Sequence, residues 1–263
     1  MSARSFPKIS VITPSFNQAQ FLEETINSVL SQNYPNLEYI IVDGKSTDGS
    51  HEIIKKYQSK LTWVKSIDKN QTDAINKGFS TATGDVLAYL NSDDLYLPNT
   101  FETVAKIFAE RPELMWVTGD CIIVNQNGVE INKFVRSYKK VLSKSNSYII
   151  LAIANYISQP STFINVNLYK VVGPLNESLE YNMDFEYWLR CFNIQKPKII
   201  PITLSKFRVH SSSKGYNKIK MQLAEGTKVV EKMSFCTTAI YAKKLHDNAI
   251  MHLYKKFFRN KNM

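Results

Sequence analysis

Cysteine is scarce in this chain, and the scarcity limits the kinds of site it can hold. The 263 residues contain three cysteines, Cys121, Cys191 and Cys236, which lie far apart and form no CxxC pair. A disulfide framework and a cysteine-based zinc site therefore have little support. We expect all three to be buried free thiols.

Four further absences narrow the possible classes of function. No stretch approaches the roughly 18 uncharged apolar residues that a membrane span needs, and residues 1–8 lack the apolar run of a secretory signal. We therefore expect a cytoplasmic protein. Neither the GxGxxG fingerprint of dinucleotide-binding enzymes nor the GxxxxGK[ST] phosphate loop occurs, so both classes lose their usual support.

Positive charge is abundant but confined to one end of the chain. The net charge is +10; residues 1–204 carry 20 basic and 20 acidic side chains, whereas residues 205–263 carry 13 basic and 3 acidic ones. A neutral body with a basic tail suggests contact with an anionic surface, either phospholipid or nucleic acid. A solvated helical face is the alternative.

The first half of the sequence alternates between strand and helix patterns. Four short apolar runs typical of strands occur at 9–13, 37–42, 61–67 and 86–90. The segments between them place apolar residues at helical spacing. Strands joined by helices of this length favour a parallel sheet with right-handed crossovers, so the predicted fold class is α/β. The second half is less regular. It predicts a helix at 183–193, Pro98 at the first turn of another helix, and strands at 115–124, 130–135, 161–166 and 198–209.

Polar segments follow three of the predicted strands, at 13–17, 43–48 and 91–94. Ligands bind at the carboxyl ends of strands in such sheets. The segment Asn91-Ser92-Asp93-Asp94 leaves the apolar interior, where acids cost stability unless they are hydrated, paired or bound to a cation. Its oxygen atoms suit Mg²⁺ or Mn²⁺. A solvent-exposed turn with helix-capping aspartates is the alternative.

Several runs, in this order, resemble family 2 glycosyltransferases with a GT-A fold. The donor half of that family is similar to VITPSFN (11–17), VDGKSTDGS (42–50) and DAINKGFSTATGDVLAYLNSDD (73–94); the acceptor half is similar to QPSTFINVNLYKVVGPLNESLEYNMDFEYWLR (159–190) and FRVH (207–210). The resemblance implies a GT-A type, Rossmann-like sandwich with a mostly parallel central sheet over residues 1–210. Within it, 1–94 would form the nucleotide-sugar-binding half and 95–210 the acceptor-binding half, with a basic helical C-terminal extension at 211–263.

The resemblance implies a donor site at the first strand ends. Phe16 holds the ring-stacking position, and Asp43 matches the acid that reads the base. Asp73 and Lys77 lie on the helix that borders the donor; Lys77 can neutralise diphosphate charge, with a solvated lysine as the alternative. The full loop that packs against the base and ribose comprises Thr13, Pro14, Ser15, Phe16 and Asn17.

The family's aspartate-x-aspartate motif maps onto Asn91-Ser92-Asp93, which would contact the donor. The resemblance makes Asp93 a metal ligand, Asp94 a second one, and His210 of the Arg-x-His element a third, with Mn²⁺ or Mg²⁺ as the cofactor. Asn91 replaces the first acid. It can still hydrogen-bond a ribose hydroxyl or a metal-bound water, but it brings no charge.

The general base that the resemblance implies is Asp184. A carboxylate within hydrogen-bond reach of the acceptor hydroxyl can deprotonate it during attack. Met183 replaces the first acid of the family's pair, Glu186 is the fallback base, and helix capping is the alternative role for Asp184. Acceptor-side contacts are assigned to Gln159, Glu186, Trp188 and Arg208; for Trp188 a place in the core is the alternative.

These assignments together predict an inverting glycosyltransferase that moves a sugar from a nucleotide-diphosphate sugar, with UDP as the expected carrier, to a glycan or lipid-linked saccharide in cell-envelope polysaccharide biosynthesis. The alternative is a catalytically impaired sugar-nucleotide binding module, because Asn91 and Met183 both replace family acids. A nucleic-acid binder is disfavoured, since the body is neutral and no reading motif occurs.

The predicted tail helix, 237–258, carries lysines beside an apolar stripe formed by Ala242, Leu245, Ala249, Leu253 and Phe257. Such a helix can dock on the body, pair with another subunit in a homo-oligomer, or lie at a membrane interface. The family favours contact with the inner face of the plasma membrane.

Overall fold

The central feature of the fold is one eight-stranded sheet. The computed structural model describes residues 6–214, 218–233 and 235–259, with side chains as far as Leu253. In the sheet the strand order is β3-β2-β1-β4-β7-β6-β8-β5. The strands are β1 (Ile9–Ser15), β2 (Leu37–Asp43), β3 (Thr62–Lys65), β4 (Val86–Tyr89), β5 (Leu95–Tyr96), β6 (Trp116–Asn125), β7 (Thr162–Asn165) and β8 (Lys198–Val209).

Strand direction divides this sheet into two parts. β1, β2, β3 and β4 are mutually parallel, and β6 is parallel to β8. β7 is antiparallel to both β4 and β6, and β5 is antiparallel to β8. β4 and β6 consequently run the same way, which brings the end of β4 and the second half of β6 to the same edge of the sheet.

Helices cover both faces of the sheet. They are α1 (Ala19–Leu30), α2 (Ser50–Lys56), α3 (Gln71–Thr81), α4 (Thr100–Glu110), α5 (Lys133–Ser143), α6 (Tyr148–Ile153), α7 (Val166–Val172), α8 (Met183–Ile194), α9 (Ile219–Lys232) and α10 (Thr237–Arg259). One core packs α1 and α4 against the sheet and includes Leu22, Ile26 and Phe101. The other packs α3, α6 and α8 and includes Ile75 and Trp188.

The sequence patterns account for the strands and helices of the first half. All seven residues of β1 are buried, as an apolar run in a central strand requires. Leu22, Ile26 and Val29 recur at helical spacing in α1 and are fully buried. Each such side chain contributes about 1.5–3 kcal/mol by leaving water. The predicted alternation of strand and helix over residues 9–90 is confirmed.

The second half corrects several predictions. Of the strand at 130–135 only an isolated bridge between Val124 and Glu130 forms, and α5 begins at Lys133. Phe134, Tyr138 and Val141 are spaced as on a helix. Because α5 lies on the surface with no fully buried residue, this spacing does not form the continuous apolar stripe that marks a core helix. Pro98 is also wrongly placed, because Asn99 is the N-cap of α4 and Pro98 precedes it.

The cysteine prediction holds for two residues of three. Cys121 and Cys191 are buried free thiols, and burial raises the pKa of the Cys121 thiol to about 12. Cys236 is an exposed free thiol, so the prediction of burial is wrong there. It lies in the connection between α9 and α10, where the neighbouring Phe235 packs against an apolar core while Cys236 itself is exposed.

The tail helix docks on the body through a polar face. α10 contacts α6 and α9, and its buried face is Ala239, Lys243 and Asp247 rather than the predicted apolar stripe. The Lys243 ammonium lies 3.0 Å from both carboxylate oxygens of Asp247, which compensates their burial. Leu245 and Leu253 of the predicted stripe are 53% and 42% exposed, while Phe257 lies outside the described side chains.

None of the described helices combines the length and the apolarity that crossing a bilayer requires. The division of the chain at residue 210 stays a prediction.

Candidate active site

The candidate site lies where four strands end. β1 and β2 are in register up to Ser15 and Asp43, β4 is followed at once by Asn91, and β8 returns to place His210 beside Asp93. The three polar segments singled out in the sequence therefore converge at one edge of the sheet, as expected for a parallel arrangement.

Phe16 forms an exposed platform just beyond β1. Its ring is 62% exposed, which is unusual for a phenylalanine and leaves an apolar face for a ring to stack on. Asn17, in the left-handed region at φ 51°, connects the platform to the loop after β2. Its backbone amide donates to Ser46 Oγ (2.9 Å), and its side-chain Oδ1 accepts from the Thr47 backbone amide (2.8 Å). A side chain at Gly44 would crowd the Phe16 ring, with a Cβ 3.3 Å from its Cδ2.

The other residues of the predicted donor loop belong to the buried strand. Thr13, Pro14 and Ser15 are all buried, and Thr13 Oγ1 hydrogen-bonds the Tyr39 hydroxyl at 3.1 Å. Only Phe16 and Asn17 extend beyond the strand.

Asp43 is fully buried, and its oxygens are satisfied within the chain. They accept from the Ser46 amide (2.9 Å) and hydroxyl (2.7 Å), and His51 Nε2 lies 2.8 Å from Oδ1. The His51 side chain is 29% exposed, so it is the accessible member of the pair. Sequence reasoning missed His51, because nothing in its spacing showed that the first turn of α2 faces the end of β2.

Lys77 sits in a cage of acceptors rather than in solvent. Its ammonium donates to Ser66 Oγ, the Ile67 carbonyl, Asp68 Oδ1 and Asp73 Oδ2 at 2.8–3.1 Å. The hydrogen bond to Asp68 is the main reason that the pKa of Lys77 is raised. The pKa of Asp73 is lowered, first by the Lys69 amide and also by Lys77.

Asp68 was missed in the sequence, and it is a second polar group at the donor side. Its Oδ2 is buried and accepts no hydrogen bond within the described part of the chain. The same oxygen lies 3.5 Å from the position that a Cβ on Gly44 would take, next to the Phe16 ring. A ligand ring resting on Phe16 can therefore find an unused acceptor beside it.

The two aspartates after β4 have different environments. Asp94 is completely buried: Oδ1 accepts from the Arg208 amide (2.8 Å), and Oδ2 accepts from Asn91 Nδ2 (3.2 Å). Burial, with the nearby charge of Asp93, raises the pKa of Asp94 well above its usual range. Asp93 is 17% exposed, and its Oδ2 lies 3.0 Å from His210 Nε2. Ser92, which precedes Asp93, is buried.

Arg208 holds this strand end to the body of the protein. Its side chain is 3% exposed and donates to the Asp93 carbonyl (2.8 Å), the Gln126 carbonyl (2.9 Å) and Glu24 Oε2 (2.5 Å), while its guanidinium lies over the Phe21 ring. The His210 ring also packs on Phe21, with the two ring centroids 4.6 Å apart.

Within the described residues, no three His, Cys, Asp or Glu side chains surround a common point as a complete metal site would require. Asp93 and His210 offer one carboxylate oxygen and one imidazole nitrogen. That pair fits Mn²⁺ or Mg²⁺ when phosphate and water oxygens fill the other positions. Both oxygens of Asp94 already accept hydrogen bonds.

Asp184 lies in the first turn of α8, which contacts α3 through a hydrogen bond from Thr72 Oγ1 to Met183 Sδ (2.8 Å). It occupies the second position of α8, whose N-cap is Asn182, so the capping alternative is wrong. Burial raises the pKa of its carboxyl, against the Phe185 amide and the positive charge of Lys139, which lower it. The charges of Asp184 and Asp94 both raise the pKa of the buried Tyr89 hydroxyl, after the larger effect of burial. The Tyr89 hydroxyl, at the end of β4, is therefore within electrostatic reach of both carboxyls.

The chain matches the family model "Glycosyl transferase family 2" over residues 10–166. It belongs to that family. The match spans the platform, both aspartates after β4 and Gln159, and it ends before Asp184.

Named relatives agree with this membership. An uncharacterized glycosyltransferase of Nostoc is 33% identical over 159 residues, 59% of this chain and 49% of its own length. TuaG of Bacillus subtilis, a glycosyltransferase whose name links it to teichuronic acid biosynthesis, is 35% identical over 50% of this chain and 53% of its own. The chain thus spans about half the length of these two curated relatives.

Solved structures confirm the GT-A fold. A mannosyltransferase of Pyrobaculum calidifontis, in complex with GDP-Man and Mn²⁺, matches with a TM-score of 0.69 at 19% identity, covering 95% of this chain and 71% of its own. Residues 1–349 of Staphylococcus aureus TarS, in complex with UDP-GlcNAc, match with a TM-score of 0.66 at 17% identity, covering 95% and 73%. At these identities the likeness concerns the fold alone.

The four predicted acceptor-side residues of this family 2 glycosyltransferase hold internal contacts. Gln159 Nε2 donates to the Tyr89 carbonyl (2.6 Å), and Glu186 receives two bonds from Arg190. Trp188 is buried and stacked on Trp116, with centroids 5.8 Å apart, so it occupies the core. Arg208, the fourth, makes the hydrogen bonds described above that clamp the end of β4 to the body of the protein.

Arg208→Lys should destabilise the fold. Lysine keeps the charge but cannot donate to three acceptors in the planar fork of a guanidinium, so buried acceptors lose their partners. The free energy of unfolding in urea should fall by about 2–4 kcal/mol, whereas Lys106→Ala, an exposed ion-pair residue, should change it by less than about 1 kcal/mol. Unchanged stability of Arg208→Lys would contradict the clamp and return Arg208 to the acceptor side.

Proposed function

We propose that this family 2 glycosyltransferase is an inverting enzyme that takes a sugar from a nucleotide-diphosphate sugar and uses Asp184 as its general base. The observation that carries this proposal is the meeting of two segments at the start of α3: Gln71 Nε2 donates to Asn91 Oδ1 (2.7 Å), and Thr72 Oγ1 donates to Met183 Sδ (2.8 Å). The proposed base, which follows Met183, and the Asp93 segment are thus brought together near the end of β4, as a single displacement requires.

The proposed step is one displacement at the anomeric carbon. The acceptor oxygen forms a bond to that carbon while its proton passes to the Asp184 carboxylate, and the bond from the carbon to the diphosphate oxygen breaks with its electron pair leaving on the diphosphate. A raised pKa makes Asp184 a stronger base than an ordinary aspartate. A divalent cation held by Asp93 and His210 would neutralise the charge that grows on the diphosphate.

The proposed donor contacts begin at the Phe16 platform. The nucleobase of the donor would stack on Phe16. It would also contact the unused oxygen of Asp68 and the accessible side of His51, which Asp43 orients. Asp73 and Lys77 border the diphosphate in this proposal, and Asn91 and Ser92 face the ribose. UDP is the proposed carrier; the fold neighbours with UDP-GlcNAc and GDP-Man show that this fold accepts either nucleotide.

The proposed acceptor is a glycan or lipid-linked saccharide of the cell envelope. The name of the Bacillus subtilis relative, which refers to teichuronic acid biosynthesis, supports this class. A sugar-nucleotide binding module without catalysis is the second candidate. One observation favours it: the side chain of Asn91 is hydrogen-bonded to Gln71, Asp94 and Gln159, and it adds no charge to the site.

Asp184→Asn should abolish transfer while leaving donor binding intact, because an amide cannot accept the acceptor proton. We expect kcat to fall by a factor of about 10² to 10⁴, with an unchanged dissociation constant for the nucleotide sugar by calorimetry. Glu186→Gln, the matched change two residues on, should keep most activity; the reverse result would move the role to Glu186.

The acid side of the pH profile provides a second check on the same residue. The base works only when deprotonated, and burial raises the pKa of Asp184. Activity should therefore be lost as the pH falls, beginning above the usual range of an aspartate. If neither variant nor wild type transfers or hydrolyses the donor, the chain is the binding module.

Metal dependence should appear only with nucleotide present, because the described residues bring only Asp93 and His210 together as candidate ligands. In a thermal-shift panel, Mn²⁺ should stabilise the UDP complex further, by about 2.7 kcal/mol at a hundredfold excess over the dissociation constant, and Asp93→Asn should remove that gain. Glu102→Gln, at an exposed surface carboxylate, is the control. Full activity in EDTA would refute the metal role of Asp93.

We also propose that α10 meets an anionic membrane surface at the inner face of the plasma membrane. Tyr241, Leu245 and Leu253 are 42–62% exposed on that helix, and beside them lies the half-exposed Lys244, whose ammonium is 2.8 Å from Glu231 Oε1. Exposed apolar side chains together with lysines suit a bilayer interface.

Co-sedimentation should detect binding to vesicles containing phosphatidylglycerol and weaker binding to pure phosphatidylcholine. Tyr241→Ser with Leu245→Ser should reduce the bound fraction severalfold. Ile202→Ser, equally apolar and exposed at 44% but on β8, is the control. An equal loss in the control, or no binding to anionic vesicles, would contradict the proposal.

A further inference from the structure

A second pocket lies apart from the donor side, between α5, the middle of β6 and the start of β8. Its volume is about 400 Å³, enough for a sugar residue with a charged substituent. Four lysines line it, three on α5 and its C-cap and one at the start of β8: Lys139, Lys140, Lys144 and Lys198.

Positive side chains outnumber negative ones in the lining of this lysine pocket by four to one. No described carboxylate forms an ion pair with any of the four lysines. The one acid in the lining, Asp120, is already held by Arg136 through bonds of 3.0 and 2.7 Å and by Thr203 at 3.3 Å. Like charges gathered in one pocket repel one another, so an anion bound there lowers their free energy.

A neutral acceptor group accompanies the lysines. Asn146, in the lining, donates through Nδ2 to the Pro197 carbonyl (3.0 Å), which fixes the orientation of its amide. Its Oδ1 is buried and accepts no hydrogen bond in the described part of the chain. A hydroxyl donor would satisfy that oxygen. Lysines and an unused amide oxygen together suit a hydroxylated ligand that carries a negative group.

The lysine pocket adjoins the proposed base. The Lys139 ammonium donates to the Ile157 carbonyl at 3.1 Å, and its positive charge lowers the pKa of Asp184. Ser158 of the lining directly precedes Gln159, which hydrogen-bonds the carbonyl at the end of β4. An occupant of this pocket would therefore lie on the Asp184 side of the site, where an acceptor must approach, and not on the Phe16 side.

We propose that the lysine pocket binds an anionic group, a phosphate or a carboxylate, on the acceptor saccharide, and so selects acidic glycans over neutral ones. This inference rests on the proposed function, because the ligand is defined as the acceptor of that reaction. Lys144 and Lys198 would contact the anion, Asn146 a hydroxyl of the same sugar, and Lys139 would position the ligand beside Asp184.

Binding can be measured on the full chain by amide NMR, with the Gly119 backbone and the Asn146 side chain as reporters, since both line the pocket. The probes are glucose 6-phosphate, glucuronate, inorganic phosphate and neutral glucose. The two sugar anions should shift both reporters, inorganic phosphate should bind more weakly because it offers Asn146 no hydroxyl anchored on a sugar, and glucose should leave them unchanged. Equal binding of glucose, or of inorganic phosphate and glucose 6-phosphate, would overturn the assignment to an acidic acceptor.

A double variant, Lys144→Met with Lys198→Met, should weaken glucose 6-phosphate binding about tenfold or more, the loss expected for charge-assisted hydrogen bonds. Lys170→Met is the matched control, because Lys170 is exposed on α7 and outside the pocket. Melting temperatures within a degree of wild type would show that the variants fold. Unchanged affinity in the folded double variant would overturn the proposal.

Donor hydrolysis separates this inference from the proposed function. In the double variant, hydrolysis of the nucleotide sugar should be unchanged, while KM for a phosphate- or carboxylate-bearing acceptor rises about tenfold and kcat changes little. A wild-type chain that binds the sugar anions but neither binds nor hydrolyses a nucleotide sugar would refute the proposed function and leave an anion pocket. A normal KM for acidic acceptors in the double variant would refute the pocket and leave the function standing.

Discussion

The tie between the end of β4 and the end of β8 is the constraint on which the site depends. The buried carboxyl of Asp94 accepts from the Arg208 backbone, and the Arg208 side chain returns to the carbonyl of Asp93. The two strands are not neighbours in the sheet. Together with the pairing of β5 with β8 and the packing of the His210 ring on Phe21, this tie holds His210 Nε2 3.0 Å from Asp93 Oδ2.

This tie separates two aspartates that look equivalent in the sequence. Asp94 is enclosed and its pKa is raised by burial, so it serves the fold; Asp93 keeps an accessible carboxylate beside an imidazole. The cost of burying Asp94 is offset by two hydrogen bonds. A similar division appears at Asp43, which is enclosed and orients the accessible His51. In both cases a buried carboxyl positions the group that a ligand can reach.

The fold was predictable where packing alone decides it, and parts of the site were not. Buried runs such as β1 and the spaced apolar residues of α1 carry their own period, so the first half and the polar strand ends followed from the sequence. α5 did not, because it is amphipathic without a buried residue and lies on the surface. Asp68 and Lys139 were also missed: each acquires its role from neighbours distant in sequence, Gly44 for one and Asp184 for the other.

The sequence by itself determined the α/β class, the family and the set of polar groups at the strand ends. Periodicity and motif order depend only on the order of residues along the chain, so they can be read without the tertiary structure. The tertiary structure decided which of those groups stay accessible. It enclosed Asp94 and Arg208, exposed Phe16, put Trp188 in the core and gathered four lysines into one pocket. Accessibility and pairing depend on which distant segments meet, and that is a property of the packed sheet and helices that no local pattern contains.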